Sequence, residues 1–291
     1  MTATPATPAA ITHRIPPHAY FVVSAVFHYL GPSFAVLLFA AIEPLGVAWL
    51  RIASAAIVFA FWRRPVRYLR KATARERWLI VAMAATLAAM NGCFYLAIAR
   101  LPLATVGAIE FFGPILLAAL GLRSQRNIVA LSLAVAGVWF LTDARWLAEP
   151  VGYLYAFANC ALFVLYIVLG HRLAAQGGAG GIERLSASML VASIFALPVG
   201  IEQAMPAFTN PLLLAAGIGV GISSSVIPYV CDQLAMARLP RATFALMLAL
   251  LPATAAVIGA IVLQQIPTSV ECAGLALVIL GVALHRAETR R

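Results

Sequence analysis

The sequence predicts an all-α integral membrane protein: ten membrane-crossing helices built as two inverted five-helix repeats. Three observations carry that expectation. Of the 291 residues, 63% are hydrophobic and only 10% charged, against about half and about a quarter in soluble domains. The apolar residues fall in runs of roughly 20 without strand-like alternation, the length a helix needs to cross a bilayer. A segment also recurs. Residues 97–105 read Ala-Ile-Ala-Arg-Leu-Pro-Leu-Ala-Thr and residues 235–243 read Ala-Met-Ala-Arg-Leu-Pro-Arg-Ala-Thr, with Pro114 matching Pro252 at the same interval.

Residues 1–17 are rich in Ala, Thr and Pro and read as a disordered cytoplasmic tail. The apolar run that follows, 18–40, exceeds the roughly 7–15 residues of a signal-peptide core, so it reads as a retained first helix. Further spans are expected at 44–62, 78–98, 102–121, 126–142, 150–170, 184–203, 211–234, 241–263 and 268–285. The glycine-rich stretch 177–181 lacks the GKS or GKT ending of a P-loop and reads as a flexible linker.

The charges test the count. With the N-terminus in the cytoplasm, all of the 20 Lys and Arg except Arg51, Arg100 and Arg145 fall on the inner side. This is the sorting that the positive-inside rule demands of short loops, and both termini are then cytoplasmic. Trp62 and Trp78 fall at inner ends and Trp146 at an outer turn, as interfacial anchors. The net charge of +10 therefore needs no nucleic-acid partner. The repeated Arg-Leu-Pro turn faces outward at Arg100 and inward at Arg238, because five helices separate its copies. Two inverted halves, 18–143 and 150–286, follow, a design found in many secondary transporters.

Polar side chains inside the spans are the candidates for chemistry, since each charge costs about 2.5–3.5 kcal/mol at a helix centre. Arg51, Asn91 and Glu110 all lie roughly 10–12 Å below the outer surface at 1.5 Å rise per residue. Equal depth allows either a polar patch that holds a charged substrate or a proton, or a structural Arg51–Glu110 ion pair. His28, near the middle of the first span, can change charge near neutral pH. Asp232 and Gln233 fall near the inner end of the eighth span. Tyr229 occupies the place in the second repeat that Asn91 holds in the first, and Leu248 replaces Glu110, so charge is confined mainly to the first half. Pro114, Pro228 and Pro252 remove backbone bonds within spans. Gly217 and Gly221 form a GxxxG that permits close helix contact.

Other chemistries lack residues. The cysteines Cys93, Cys160, Cys231 and Cys272 lie in apolar runs without a CxxC and read as core residues. HExxH, GxSxG and Walker sequences are absent and the histidines are scattered. Neither an enzyme nor a metal or cofactor site is expected, and transport would be secondary, coupled to a proton gradient.

Four stretches resemble the drug/metabolite transporter superfamily in its EamA-type branch: Gly46 to Ile52 (GVAWLRI), Met90 to Tyr95 (MNGCFY), Leu101 to Ile115 (LPLATVGAIEFFGPI) and Ile227 to Phe244 (IPYVCDQLAMARLPRATF). The resemblance covers nearly the whole chain past the tail. It implies export of a small metabolite from a bacterial cytoplasm across the inner membrane, an amino acid such as threonine or homoserine foremost, with a drug or another metabolite as the alternative. It implies that Arg51, Asn91 and Glu110 occupy family-typical places, joined in the expected substrate site by Tyr95 and Tyr229. Glu110, His28 and Asp232 are the candidates for proton coupling. Leu263-Gln264-Gln265 departs from the Leu-Gly-Glu usual in that family.

Overall fold

A computed structural model describes residues 16–121, 125–143, 148–174, 181–236 and 251–284. The N-terminal tail, most of the glycine-rich stretch, the Arg-Leu-Pro turn at Arg238 and Leu248 lie outside them. Among the described residues the chain is helical throughout, without strands. The helices are α1 (Pro17–Leu38), α2 (Pro44–Arg63), α3 (Pro65–Lys71), α4 (Ala74–Ile98), α5 (Leu103–Gly121), α6 (Gln125–Asp143), α7 (Pro150–Ala174), α8 (Gly181–Gly200), α9 (Met205–Thr209), α10 (Pro211–Gly221), a π-helical segment (Ile222–Val226), α11 (Ile227–Met236), α12 (Leu251–Leu263) and α13 (Ser269–Leu284).

Local sequence sets where these helices begin. Pro17, Pro44, Pro65, Pro150 and Pro211 each open one, where the missing N–H would have had no intrahelical partner and φ is already helical. Capping boxes open two others. Thr73 accepts from the Glu76 amide while Glu76 accepts from the Thr73 amide at 2.9 Å. Thr268 and Glu271 exchange the same bonds before α13. Glutamines from distant loops satisfy first-turn amides of α2 and α5: Gln203 Oε1 accepts from Leu45 N at 3.1 Å and Gln265 Oε1 from Leu103 N at 3.0 Å. Gln264 beside it sits at φ 56, the left-handed region in which glycine is unstrained. That is the position where the resembled family carries its glycine.

Among the described residues six helical stretches are long and apolar enough to cross a membrane: His18–Leu38, Pro44–Arg63, Ala74–Ile98, Pro150–Gly170, Glu183–Gly200 and Pro211–Cys231. Shorter apolar helices cover Leu103–Gly113, Gln125–Leu141, Leu251–Leu263 and Ser269–Leu284. The surface is the reverse of a water-soluble one. Phe61, Leu212, Ile261 and Ile266 face outward, while Arg51, Asn91, Glu110 and Asn159 are buried. Hydrocarbon as the surrounding solvent accounts for both halves of that pattern, because it costs nothing to expose leucine to lipid and much to expose a charge.

Packing places the interior polar groups. α1 lies against α11, α12 and the π segment; α2 against α8 and α10; α4 against α7 and α8; α5 against α7, α6 and α12; α6 against α13. The GxxxG of α10 explains how closely that helix meets α2. A Cβ at Gly217 would stand 2.9 Å from Leu50 Cδ1, and one at Gly221 would stand 2.7 Å from the Arg51 carbonyl oxygen and overlap the Ser54 hydroxyl. Gly219, between them, faces open space. Gly221→Ala should therefore lower the thermal unfolding midpoint in detergent, by overpacking of roughly 1–3 kcal/mol. Gly219→Ala should leave it unchanged or raise it by up to about 1 kcal/mol through helix propensity. Equal effects of the two substitutions would remove the close α2–α10 contact from this account.

Candidate functional site

Arg51 is the organising side chain. It projects from the middle of α2 into the bundle and is 8% exposed. Its Nε donates to Ser225 Oγ at 3.0 Å and its Nη2 to the Ser224 carbonyl at 3.2 Å. The Tyr95 ring lies 5.6 Å from the guanidinium carbon, within cation–π range. Every one of these partners is neutral.

The sequence around residue 224 explains why a main-chain carbonyl is available there. In a regular helix that carbonyl would accept from the amide four residues on. Position 228 is a proline and has no N–H. The segment before it winds as a π-helix, with Ile227 N donating to the Ile222 carbonyl. Such single-turn departures concentrate at functional sites. GxxxG contact one turn earlier brings this stretch against α2, so Ser224 and Ser225 arrive beside Arg51. Ser224 Oγ itself donates back to the Val220 carbonyl.

Glu110, on α5, forms a second centre and is 6% exposed. Asn159 Nδ2, on α7, donates to Glu110 Oε1 at 3.2 Å. Glu110 Oε2, Asn159 Oδ1 and the Tyr29 hydroxyl are all buried and lack hydrogen-bond partners among the described residues. Tyr29 reaches α5 at Gly107, one turn before Glu110, where a Cβ would lie 3.0 Å from the phenolic oxygen. Pro114, in α5, has no N–H for the Glu110 carbonyl four residues back. Unpartnered oxygens from α1, α5 and α7 thus lie along this stretch of α5, with Asn159 as the donor to the carboxylate among the described residues.

Arg51 and Glu110 form no ion pair, so the direct bridge permitted by their equal depth is not made. Of the other expected site residues, Tyr95 is fully buried beside Arg51. Asn91 is buried, and its Nδ2 donates to the Leu87 carbonyl of its own helix at 2.8 Å. Tyr229 packs half-buried against an apolar cluster that includes Leu87 and Met90. His28 is half-buried, edge-on to Tyr29 with ring centroids 5.1 Å apart. Asp232 lies on α11, its side chain outside the described ones. The sequence reading missed Tyr29, Asn159, Ser224 and Ser225. Asn159 could have been found by the same rule that selected Asn91, an amide inside an apolar run. The run Ser223-Ser224-Ser225 just before Pro228 was a visible signal as well.

Helices that expose apolar surface and bury unneutralised charges of both signs define a class: a multi-pass membrane protein with a polar interior site. The comparisons make the class specific. Residues 150–286 match the EamA-like transporter family. The chain is 32% identical over 256 residues to the threonine/homoserine exporter RhtA of Escherichia coli strain K12, covering 86% of this chain and 84% of that protein. It is 32% identical over 252 residues, with the same coverage, to RhtA of Salmonella typhimurium strain LT2. A solved structure titled only "Crystal structure of protein" superposes with a TM-score of 0.62 at 18% identity over 93% of this chain and 98% of that one, a likeness of fold alone. The chain belongs to the EamA-like transporter family, and it is a multi-pass inner-membrane transport protein.

The unpartnered hydroxyl gives a stability test that needs no substrate. Tyr29→Phe deletes a buried group with no hydrogen bond to lose, so the unfolding midpoint should hold or rise by up to about 1 kcal/mol. Asn159→Leu strips Glu110 of its donor and should cost about 1–3 kcal/mol. Thermal denaturation in a non-ionic detergent reads both, and a marked loss in Tyr29→Phe would assign its hydroxyl a structural bond.

Proposed function

We propose that this protein exports a zwitterionic amino acid, threonine or homoserine foremost, by proton-coupled alternating access across the inner membrane. The observation that carries the reading is the pair of opposite charges buried inside the bundle, neither neutralised by the other. A zwitterion satisfies both. Its carboxylate would lie against the Arg51 guanidinium, beside Tyr95, with Asn91 and Tyr229 completing the wall. Its ammonium carries three N–H donors, and Glu110 Oε2, Asn159 Oδ1 and the Tyr29 hydroxyl supply three unpartnered oxygens. Glu110 takes the proton when the ammonium leaves, with His28 and Asp232 as the other proton-carrying groups. The relatives' printed substrates, threonine and homoserine, fit this chemistry.

The architecture we propose is ten spans in two repeats, 18–143 and 150–286, inverted about the membrane plane with both termini cytoplasmic. Helix packing supports the repeat independently of the Arg-Leu-Pro match. Let α1, α2, α4, α5 and α6 exchange with α7, α8, α10–α11, α12 and α13. The α1–α11 contact then becomes α4–α7, α2–α10 becomes α4–α8, and α1–α12 becomes α5–α7, while α2–α8, α5–α12 and α6–α13 map onto themselves. All of these contacts occur. Rocking of one half against the other would expose the site to either side in turn.

A second reading, export of an apolar drug-like compound, has one observation of its own. A cavity of about 600 Å³ between α2, α4 and α8 is lined by Trp49, Ile52, Leu96, Phe195 and other apolar residues. Binding separates the two: threonine or homoserine should raise the unfolding midpoint of the purified protein, and hydrophobic dyes should not. In proteoliposomes loaded with radiolabelled threonine, Glu110→Gln should slow efflux at least about thirtyfold, as for a buried charge partner worth 2 kcal/mol or more. Tyr29→Phe should slow efflux while keeping its stability. Wild-type efflux in a well-folded Glu110→Gln protein would sink the role of that carboxylate.

A further inference from the structure

We propose that α3 and its flanks form a docking surface for anionic phospholipid headgroups, a site separate from the transport pathway and independent of what is transported. Three observations place it. Residues 61–78 hold Arg63, Arg64, Arg67, Arg70, Lys71, Arg75 and Arg77 with Glu76 as the sole acid. That acid is already engaged: its carboxylate closes the Thr73 capping box at 2.9 Å, lies 3.5 Å from the Tyr68 hydroxyl and sits 4.0 Å from Arg184. Arg63 pairs with Glu183 at 3.4 Å, and Arg77 donates to the Ala72 and Arg70 carbonyls. Arg64, Arg67, Arg70, Lys71 and Arg75 are exposed and have no acidic partner among the described residues.

The helix is also fixed in place. Arg64 takes a left-handed conformation, φ 52 and ψ 58, which breaks α2 and starts α3 in a new direction. The Tyr68 and Leu69 face of α3 packs on Ile80 and Ala187, and Arg184 Nε donates to the Tyr68 hydroxyl at 3.1 Å. Positions 67, 70 and 71 share the opposite face at i, i+3 and i+4 spacing. Finally, the surface stands at a membrane boundary. Trp62 and Trp78 are 48% and 74% exposed, Phe61 is 87% exposed and Val66 is 51% exposed. Exposed indoles beside apolar side chains mark the headgroup level. A rigid basic stripe held at that level, its only acid occupied, matches a phosphodiester anion. Such juxtamembrane polybasic segments bind anionic lipid at the cytoplasmic face.

The test uses the full chain purified in neutral micelles supplemented with phosphatidylglycerol or with phosphatidylcholine, read by thermal midpoint against lipid fraction. Phosphatidylglycerol should stabilise the wild type, less so as salt rises. Arg67→Gln/Arg70→Gln/Lys71→Gln should weaken the apparent affinity about a hundredfold. Arg67→Lys/Arg70→Lys, which keeps the charge, and Arg172→Gln, an exposed inner-side control, should respond like wild type. Stabilisation by phosphatidylcholine to the same extent, a salt-independent response, an unaltered response in the triple glutamine variant, or reproduction of the effect by inorganic phosphate alone would each overturn the proposal. Threonine efflux need not be measured, so failure here leaves the transport reading standing.

Discussion

A guanidinium inside hydrocarbon must be solvated by something, and much of this bundle's interior is shaped by how Arg51 meets that requirement. No carboxylate does it. Solvation comes from a serine hydroxyl, a main-chain carbonyl and the face of a tyrosine ring, all supplied from more than forty residues away in sequence. Each supplier has its own precondition. Pro228 removes the N–H that a regular helix would offer the Ser224 carbonyl, the π turn places the serines toward α2, and Gly217 with Gly221 lets α10 come close enough for contact. Were any of these lost, a buried cation would be left with too few oxygens around it, at a cost of the order of an unsatisfied charged hydrogen bond.

Glu110 meets the same solvent problem in the opposite way. One carboxylate oxygen receives a single amide donor, and the other receives none. The contrast between a well-solvated cation and an under-solvated anion is a division of labour. Arg51 already spends its Nε and Nη2 donors on Ser225 and Ser224. Glu110 keeps unused bonding capacity at Oε2. Leaving buried acceptors unsatisfied costs stability.

The all-helical class, the six long apolar helices and the buried charges were legible in the sequence because they depend on local quantities: run length, composition and depth along a helix. Arg51 and Glu110 were found that way, and Tyr95 came with the family resemblance. Partners were not. Ser224 and Ser225 are weakly polar residues in an apolar run, and their meeting with Arg51 depends on helix packing across the chain. Asn159 was readable in principle and overlooked because its span carries no charge near it. Asn91 was selected on depth, yet it donates to its own helix at Leu87, a local bond that intramembrane asparagines can always make. The seven-residue α3 falls between the expected spans 44–62 and 78–98, where so short a helix has no periodicity to detect. The Gln265 cap on α5 was invisible for the same reason as the serines, although the glycine-to-glutamine departure at 264 was noticed.

The π turn has a bearing on how this site could have arisen. A π-helical turn is an α-helical turn carrying one extra residue. Removing a residue between 222 and 226 would let regular winding resume; the helix beyond would keep close to its present phase, while residues within the turn would change face by up to about 100°. The serines would then face elsewhere while their identities stayed the same. The binding environment of the buried arginine is thus written in the length of a helix as much as in its side chains, and a single-codon insertion or deletion there is a larger change than any substitution.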